Sequence, residues 1–152
     1  MIARIVAAGL AALACSGAHA YCIANELRDR SVRVEQEEHP DKLRNDRRLS
    51  ALLHPGERRC CRFHDLDCNP EGRNESVVNL AVRIEGEPVY ECGFPQGSEP
   101  NVKVTGDGTV RILRNPRTKS AFPYIVRVRT RDHDLTGPRG VVCPQAKTKG
   151  KP

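Results

Sequence analysis

The segment Cys60-Cys61-Arg62-Phe63-His64-Asp65-Leu66-Asp67-Cys68 gathers thiol, imidazole and carboxylate groups within nine residues. These are the donor types that hold zinc or copper. His64-Asp65-Leu66 has a counterpart in His133-Asp134-Leu135, so His64, Asp65 and His133 form a candidate metal set if the two loops converge. Two arguments weigh against a metal. The paired C-x-x-C steps of a closed tetrahedral site are absent, and sulfurs oxidised to disulfides are poor ligands. A bridge between the adjacent Cys60 and Cys61 would be a strained redox element, but neighbouring residues seldom reach disulfide geometry. Without C-x-x-C the thioredoxin-like motif is missing too. A metal-binding or redox protein built around Cys60–Cys68 and His133 is therefore the alternative reading, and no cofactor is expected.

Arg127, Arg129 and Arg131 recur at every second position of the segment Tyr124–Arg131. On a strand their stems leave one face roughly 6.6 Å apart. Guanidinium groups in such a ladder suit phosphates or other repeating anions, which they grip bidentately. The plainer interpretation is the solvent side of a half-buried strand, with Glu35, Glu85 or Glu87 across from it. Hydrolytic chemistry has less support. There is no G-x-S-x-G, H-E-x-x-H or P-loop, and no carboxylate singles out any of His39, His54, His64 or His133. No catalytic residue is assigned. Asn74-Glu75-Ser76 fits the N-glycosylation pattern, which matters only in a eukaryotic secretory pathway.

These residues need a compartment and a frame. Arg4, the apolar run Ile5–Ala14 and Ala18-His19-Ala20 have the order of a secretory signal peptide of bacterial type, cleaved after Ala20. A lipoprotein-type cut ahead of Cys15 is the lesser alternative, because Ala12 stands where that pattern wants Leu. Either cut leaves Cys22, Cys60, Cys61, Cys68, Cys92 and Cys143, an even set in an exported chain, which points to disulfides in the periplasm or outside the cell. No second apolar run is long enough to span a bilayer.

From Tyr21 onward the hydrophobic period is two. Val32 and Val34 alternate with polar neighbours, as do Val78, Leu80, Val82 and Ile84, and again Tyr124, Val126 and Val128. Val102–Ile112 reads as a hairpin whose Gly106-Asp107-Gly108 turn uses positive φ. Shorter apolar pieces lie at Cys22-Ile23, Leu49–Leu53, Cys60–Phe63, Val89–Cys92 and Val141–Cys143. Pro and Gly punctuate them. The fold class expected is all-β: a small, disulfide-linked antiparallel β-sandwich or open barrel of about seven or eight short strands. Pro40–Leu53 is either the one helix or a polar loop feeding a strand. The expected boundaries are a signal peptide at 1–20, one domain at 21–143 and a flexible basic tail at 144–152. The order Ile23-Ala24-Asn25, then Pro55-Gly56 ahead of the cysteine-rich strand, resembles many small secreted β-sandwiches. That likeness implies an architecture and no activity.

Six cysteines admit fifteen pairings. Cys60 and Cys61 on one strand point to opposite faces and need different partners. The scheme Cys22–Cys143, Cys60–Cys92 and Cys61–Cys68 follows if the terminal strands are neighbours. The formal charge of +6 and pI near 9.1 allow an anionic partner. Aromatic residues are 4% of the chain and Trp is absent, so stacking has little to work with, which argues against sugars held by stacking as well as single-stranded bases, and nucleic acid is not expected. The function expected is an exported, non-catalytic binding or structural module for an acidic protein or an anionic cell-surface polymer.

Overall fold

The computed structural model of the chain describes residues 19–37, 48–73, 75–93, 102–117 and 119–146. Its strands are β1 (His19–Asn25), β2 (Val32–Gln36), β3 (Ser50–Leu53), β4 (Arg58–Arg62) and β5 (Val78–Ile84). They continue with β6 (Tyr90–Cys92), β7 (Val102–Val104), β8 (Gly108–Arg114), β9 (Tyr124–Arg129) and β10 (Val141–Cys143). The first sheet has the order β10-β9-β8-β1-β4, and the second β3-β2-β5-β6 with β7 also on β5. The chain is all-β. The described residues hold ten strands rather than seven or eight, and β1 runs parallel to β8 where an antiparallel fold was expected.

Period-two alternation places the core. Along β5, Val78, Leu80, Val82 and Ile84 are buried while the residues between them are not. Val32 and Val34 of β2, Val110 and Ile112 of β8 and Val126 and Val128 of β9 join them in one cluster drawn from both sheets. Leu49 and Leu53 complete the pattern on the segment where a helix was considered. There Ser50–Leu53 is a strand, and residues 40–47 lie outside the described residues. No helix among the described residues is long and apolar enough to cross a membrane.

The expected hairpin at Val102–Ile112 does not form. β7 pairs with β5 of the second sheet and β8 with β1 and β9 of the first, so the turn between them crosses from sheet to sheet. Neither Gly106 nor Gly108 has positive φ. Gly108 is required for closeness instead: a Cβ there would collide with the Val104 side chain and the Thr105 carbonyl.

The three disulfides are Cys22–Cys60, Cys61–Cys68 and Cys92–Cys143. Only Cys61–Cys68 matches the expected scheme. Cys22 cannot reach Cys143 because β8 and β9 lie between β1 and β10. Instead Cys22 stands directly opposite Cys60 on the paired strand β4. Cys92 and Cys143 close one side of the molecule, where β6 of one sheet meets β10 of the other. Backbone bonds reinforce that seam: Glu91 N–H donates to the Pro144 carbonyl at 3.0 Å and Ala146 N–H to the Val89 carbonyl at 2.9 Å. Pro144–Ala146 is thereby pinned, and residues 147–152 of the expected tail lie outside the described residues, as do 1–18 of the expected leader. His19 and Ala20 begin β1.

Candidate functional site

The outward side of the first sheet is laid out by strand register. Arg58 of β4 is opposite Ala24 of β1, Ala24 is in register with Arg111 of β8, and Arg111 is opposite Arg127 of β9. One step along the strands, Cys60, Cys22, Thr109 and Arg129 form a parallel row. Two rows of small residues and arginines therefore cross four strands. Ala24, Thr109 and the Cys22–Cys60 bridge form a low floor from which the guanidinium groups rise.

The charges on this face are unequally satisfied. Arg111 is held by Glu26: its Nε and Nη2 donate to the two carboxylate oxygens, the latter at 2.8 Å. The Arg111 guanidinium is shifted toward its charged form, chiefly by that hydrogen bond, against a smaller loss from desolvation. Arg127 donates from Nη2 to the Pro138 carbonyl at 3.2 Å. Arg58 and Arg129 are exposed, and their side chains make no hydrogen bond or ion pair among the described residues. Arg129 does act at longer range on Asp134, whose carboxyl lies below the usual range. Desolvation, the largest single effect, opposes that shift, and hydrogen bonds from Thr136 together with the charges of Arg129 and Arg127 outweigh it in sum.

Two of the three arginines singled out in the sequence thus share this face. Arg131 does not, because β9 ends at Arg129 and the chain turns back through Thr130–His133. The glutamates thought to oppose the ladder are elsewhere. Glu35 and Glu85 belong to the other sheet, where Glu85 pairs with Arg33 at 2.8 Å, and Glu87 lies in the turn after β5. Arg58 and Arg111 were missed because the row runs across strands, and a register between distant segments has no periodic signature in sequence.

The metal candidates sit in two loops. His64 follows β4 and His133 follows β9, at the same end of the first sheet but with β1 and β8 between their strands. Strand spacing alone separates β4 from β9 by about 14 Å. Among the described residues no group of three or more His, Cys, Asp or Glu is placed to hold a metal ion. All six cysteines of the described residues are in disulfides.

Asp65, next to His64 in the same loop, lines a cleft of about 230 Å³ with Arg59, Asp67 and Cys68 around it. The Tyr21 phenol floors that cleft and donates to the Cys68 carbonyl at 3.0 Å. Burial pushes the Tyr21 phenol far above its ordinary value; Asp65 adds to the rise and Arg59 opposes it. Asn69 holds the loop itself, donating from Nδ2 to the Phe63 carbonyl at 3.1 Å and the Arg73 carbonyl at 3.3 Å.

No protein-family model, curated protein or solved structure matches the chain. The functional reading therefore rests on the geometry of the chain itself.

Proposed function

We propose that this is an exported, non-catalytic protein whose two sheets pack as a β-sandwich and whose first sheet presents a binding face for an anionic macromolecule. The observation that carries the reading is the row Arg58, Arg111 and Arg127 with the neighbouring Arg129, in which Glu26 is hydrogen-bonded to Arg111 and Asp134 acts on Arg129 and Arg127 only at longer range. Three disulfides in so short a chain support an oxidising compartment. They also support a rigid platform, and rigid scaffolds lower the entropy lost on binding.

The test is salt elution from immobilised heparin. The triple variant Arg58→Ser/Arg127→Ser/Arg129→Ser is expected to elute at clearly lower salt than the parent. A control of equal charge loss, Arg73→Ser/Lys103→Ser/Arg117→Ser, removes exposed cations from other surfaces and is expected to shift elution much less. Equal shifts for the two triples would reduce the binding to net charge and remove the site.

A further inference from the structure

On the reading that the first sheet's outer face takes an anionic macromolecule, we infer that its ligand is a linear acidic polysaccharide lying across the strands from β9 to β4. The spread of the cations over four strands favours an extended anion over a compact one. Arg127 and Arg129 project about 6.6 Å apart along β9, Arg111 sits about 5 Å from Arg127 across the ladder, and Arg58 stands about 10 Å beyond Arg111. A single phosphate or sulfate needs donors converging on one point. Here the two side chains that make no hydrogen bond or ion pair among the described residues, Arg58 and Arg129, lie on the outermost strands of the row, Arg129 with Asp134 at longer range. A ligand that reaches both Arg58 and Arg129 must carry charges along a path of about 14 Å.

The direction follows from the floor. Between Arg58 and Arg111 the sheet offers Ala24, and beside it the half-buried Thr109 and the Cys22–Cys60 bridge, a low channel crossing the strands. A path along β9 would instead run off the strand at Arg129, where Asp134 bridges back and places a carboxylate near the arginines.

The class of polymer follows from what the face lacks. Protein partners are gripped by exposed apolar anchors at an interface centre. The four exposed large apolar residues among the described ones, Leu52, Leu66, Val77 and Leu135, all lie off β1, β4, β8 and β9. Single-stranded nucleic acid is held by stacking on aromatic rings. Tyr21 and Tyr124, the aromatic residues of these strands, are buried in the core cluster. What is left is recognition of charge at intervals along a flexible chain, which acidic glycans supply without stacking.

The experiment is calorimetric titration with size-defined, heparin-derived oligosaccharides from disaccharide to decasaccharide, with inorganic sulfate and oligo-dT as comparators. Affinity is expected to rise with length until the ligand spans the row and then level off, with sulfate not binding detectably. Arg58→Ser is expected to weaken the long oligosaccharides roughly 5-fold and leave the disaccharide unchanged. Arg127→Ser/Arg129→Ser is expected to weaken every length. If Arg58→Ser leaves long ligands unaffected while the β9 pair still weakens them, the path across strands is wrong and the binding face survives. Oligo-dT binding as tightly as the longest oligosaccharide overturns the choice of polymer. If neither variant alters any titration, the face itself is lost.

Discussion

Each outer face of this molecule carries a pair of arginines directly opposite one another, and the two pairs are resolved differently. On the second sheet Arg33 faces Arg83. Glu85 neutralises the first at 2.8 Å and Glu91 the second at 2.7 Å. On the first sheet Arg111 faces Arg127, and Glu26 answers Arg111 while Arg127 finds only the Pro138 carbonyl. Like charges opposite one another disfavour pairing unless they are compensated. The second sheet spends its carboxylates locally, around a shallow depression of about 130 Å³ lined by Arg33, Glu35, Arg83 and Glu91. The first sheet leaves positive charge over. An overall charge of +6 says little about either face; the placement of three glutamates decides how much positive charge each face leaves uncompensated.

The sharpest cut at this difference is covalent. The basic face has a disulfide in its floor, whereas Cys92 of the second sheet is fully buried. Cys22–Cys60 closes a loop of 38 residues, and in the chain-entropy model its loss costs about 4 kcal/mol. The variant Cys22→Ala/Cys60→Ala is expected to show that loss in urea denaturation. It is also expected to release heparin at lower salt, because β4 and Arg58 lose their covalent tie to β1. A variant of parental stability would separate the basic face from the disulfide beneath it.

A smaller cut tests the inner side of the same sheet. Tyr21→Phe removes the hydrogen bond to the Cys68 carbonyl and is expected to cost about 1 kcal/mol, with heparin elution unchanged because the phenol points away from the basic face. The raised phenol sets the sign with pH. Its contribution is whole below about pH 10, the ordinary tyrosine value, and is lost as pH rises above it, because the unfolded chain ionises first while the folded one resists. The parent is therefore expected to lose stability more steeply above that pH than Tyr21→Phe does. Parallel losses would mean that the phenol ionises freely in the folded state.

Local patterning made much of the frame legible. Val78–Ile84 alternates cleanly because β5 has one buried face, and β5 occupies those residues. Long-range pairing was not legible. The parallel union of β1 with β8 joins segments far apart in the chain, and nothing in either sequence marks the other as its neighbour. The disulfide scheme failed for that reason: it assumed adjacent terminal strands, and two strands intervene. Arg127 and Arg129 were readable as a ladder because they lie on one strand, whereas Arg58 and Arg111 join them only through register. Glycines show the same division. Gly86 has φ of 116° and its missing Cβ makes room for the Arg30 side chain, which donates to the Glu85 and Glu87 carbonyls. Nothing in the sequence around Gly86 marks the arginine that it admits.

The smallest expected effect is the most discriminating. Glu26→Gln removes the carboxylate that is hydrogen-bonded to the basic row and frees Arg111. Both partners are substantially exposed, so the stability change is expected to stay within about 1 kcal/mol. Heparin elution is expected to move to higher salt. The matched change on the other face, Glu91→Gln, frees Arg83 at the same formal charge. There Glu85 still holds Arg33, and Glu35 still lines the same depression, so elution is expected to shift less. If the two variants move together, polyanion binding follows total charge alone. A larger shift for Glu26→Gln ties binding to the arginine row, because the two proteins differ only in which face gained the free cation.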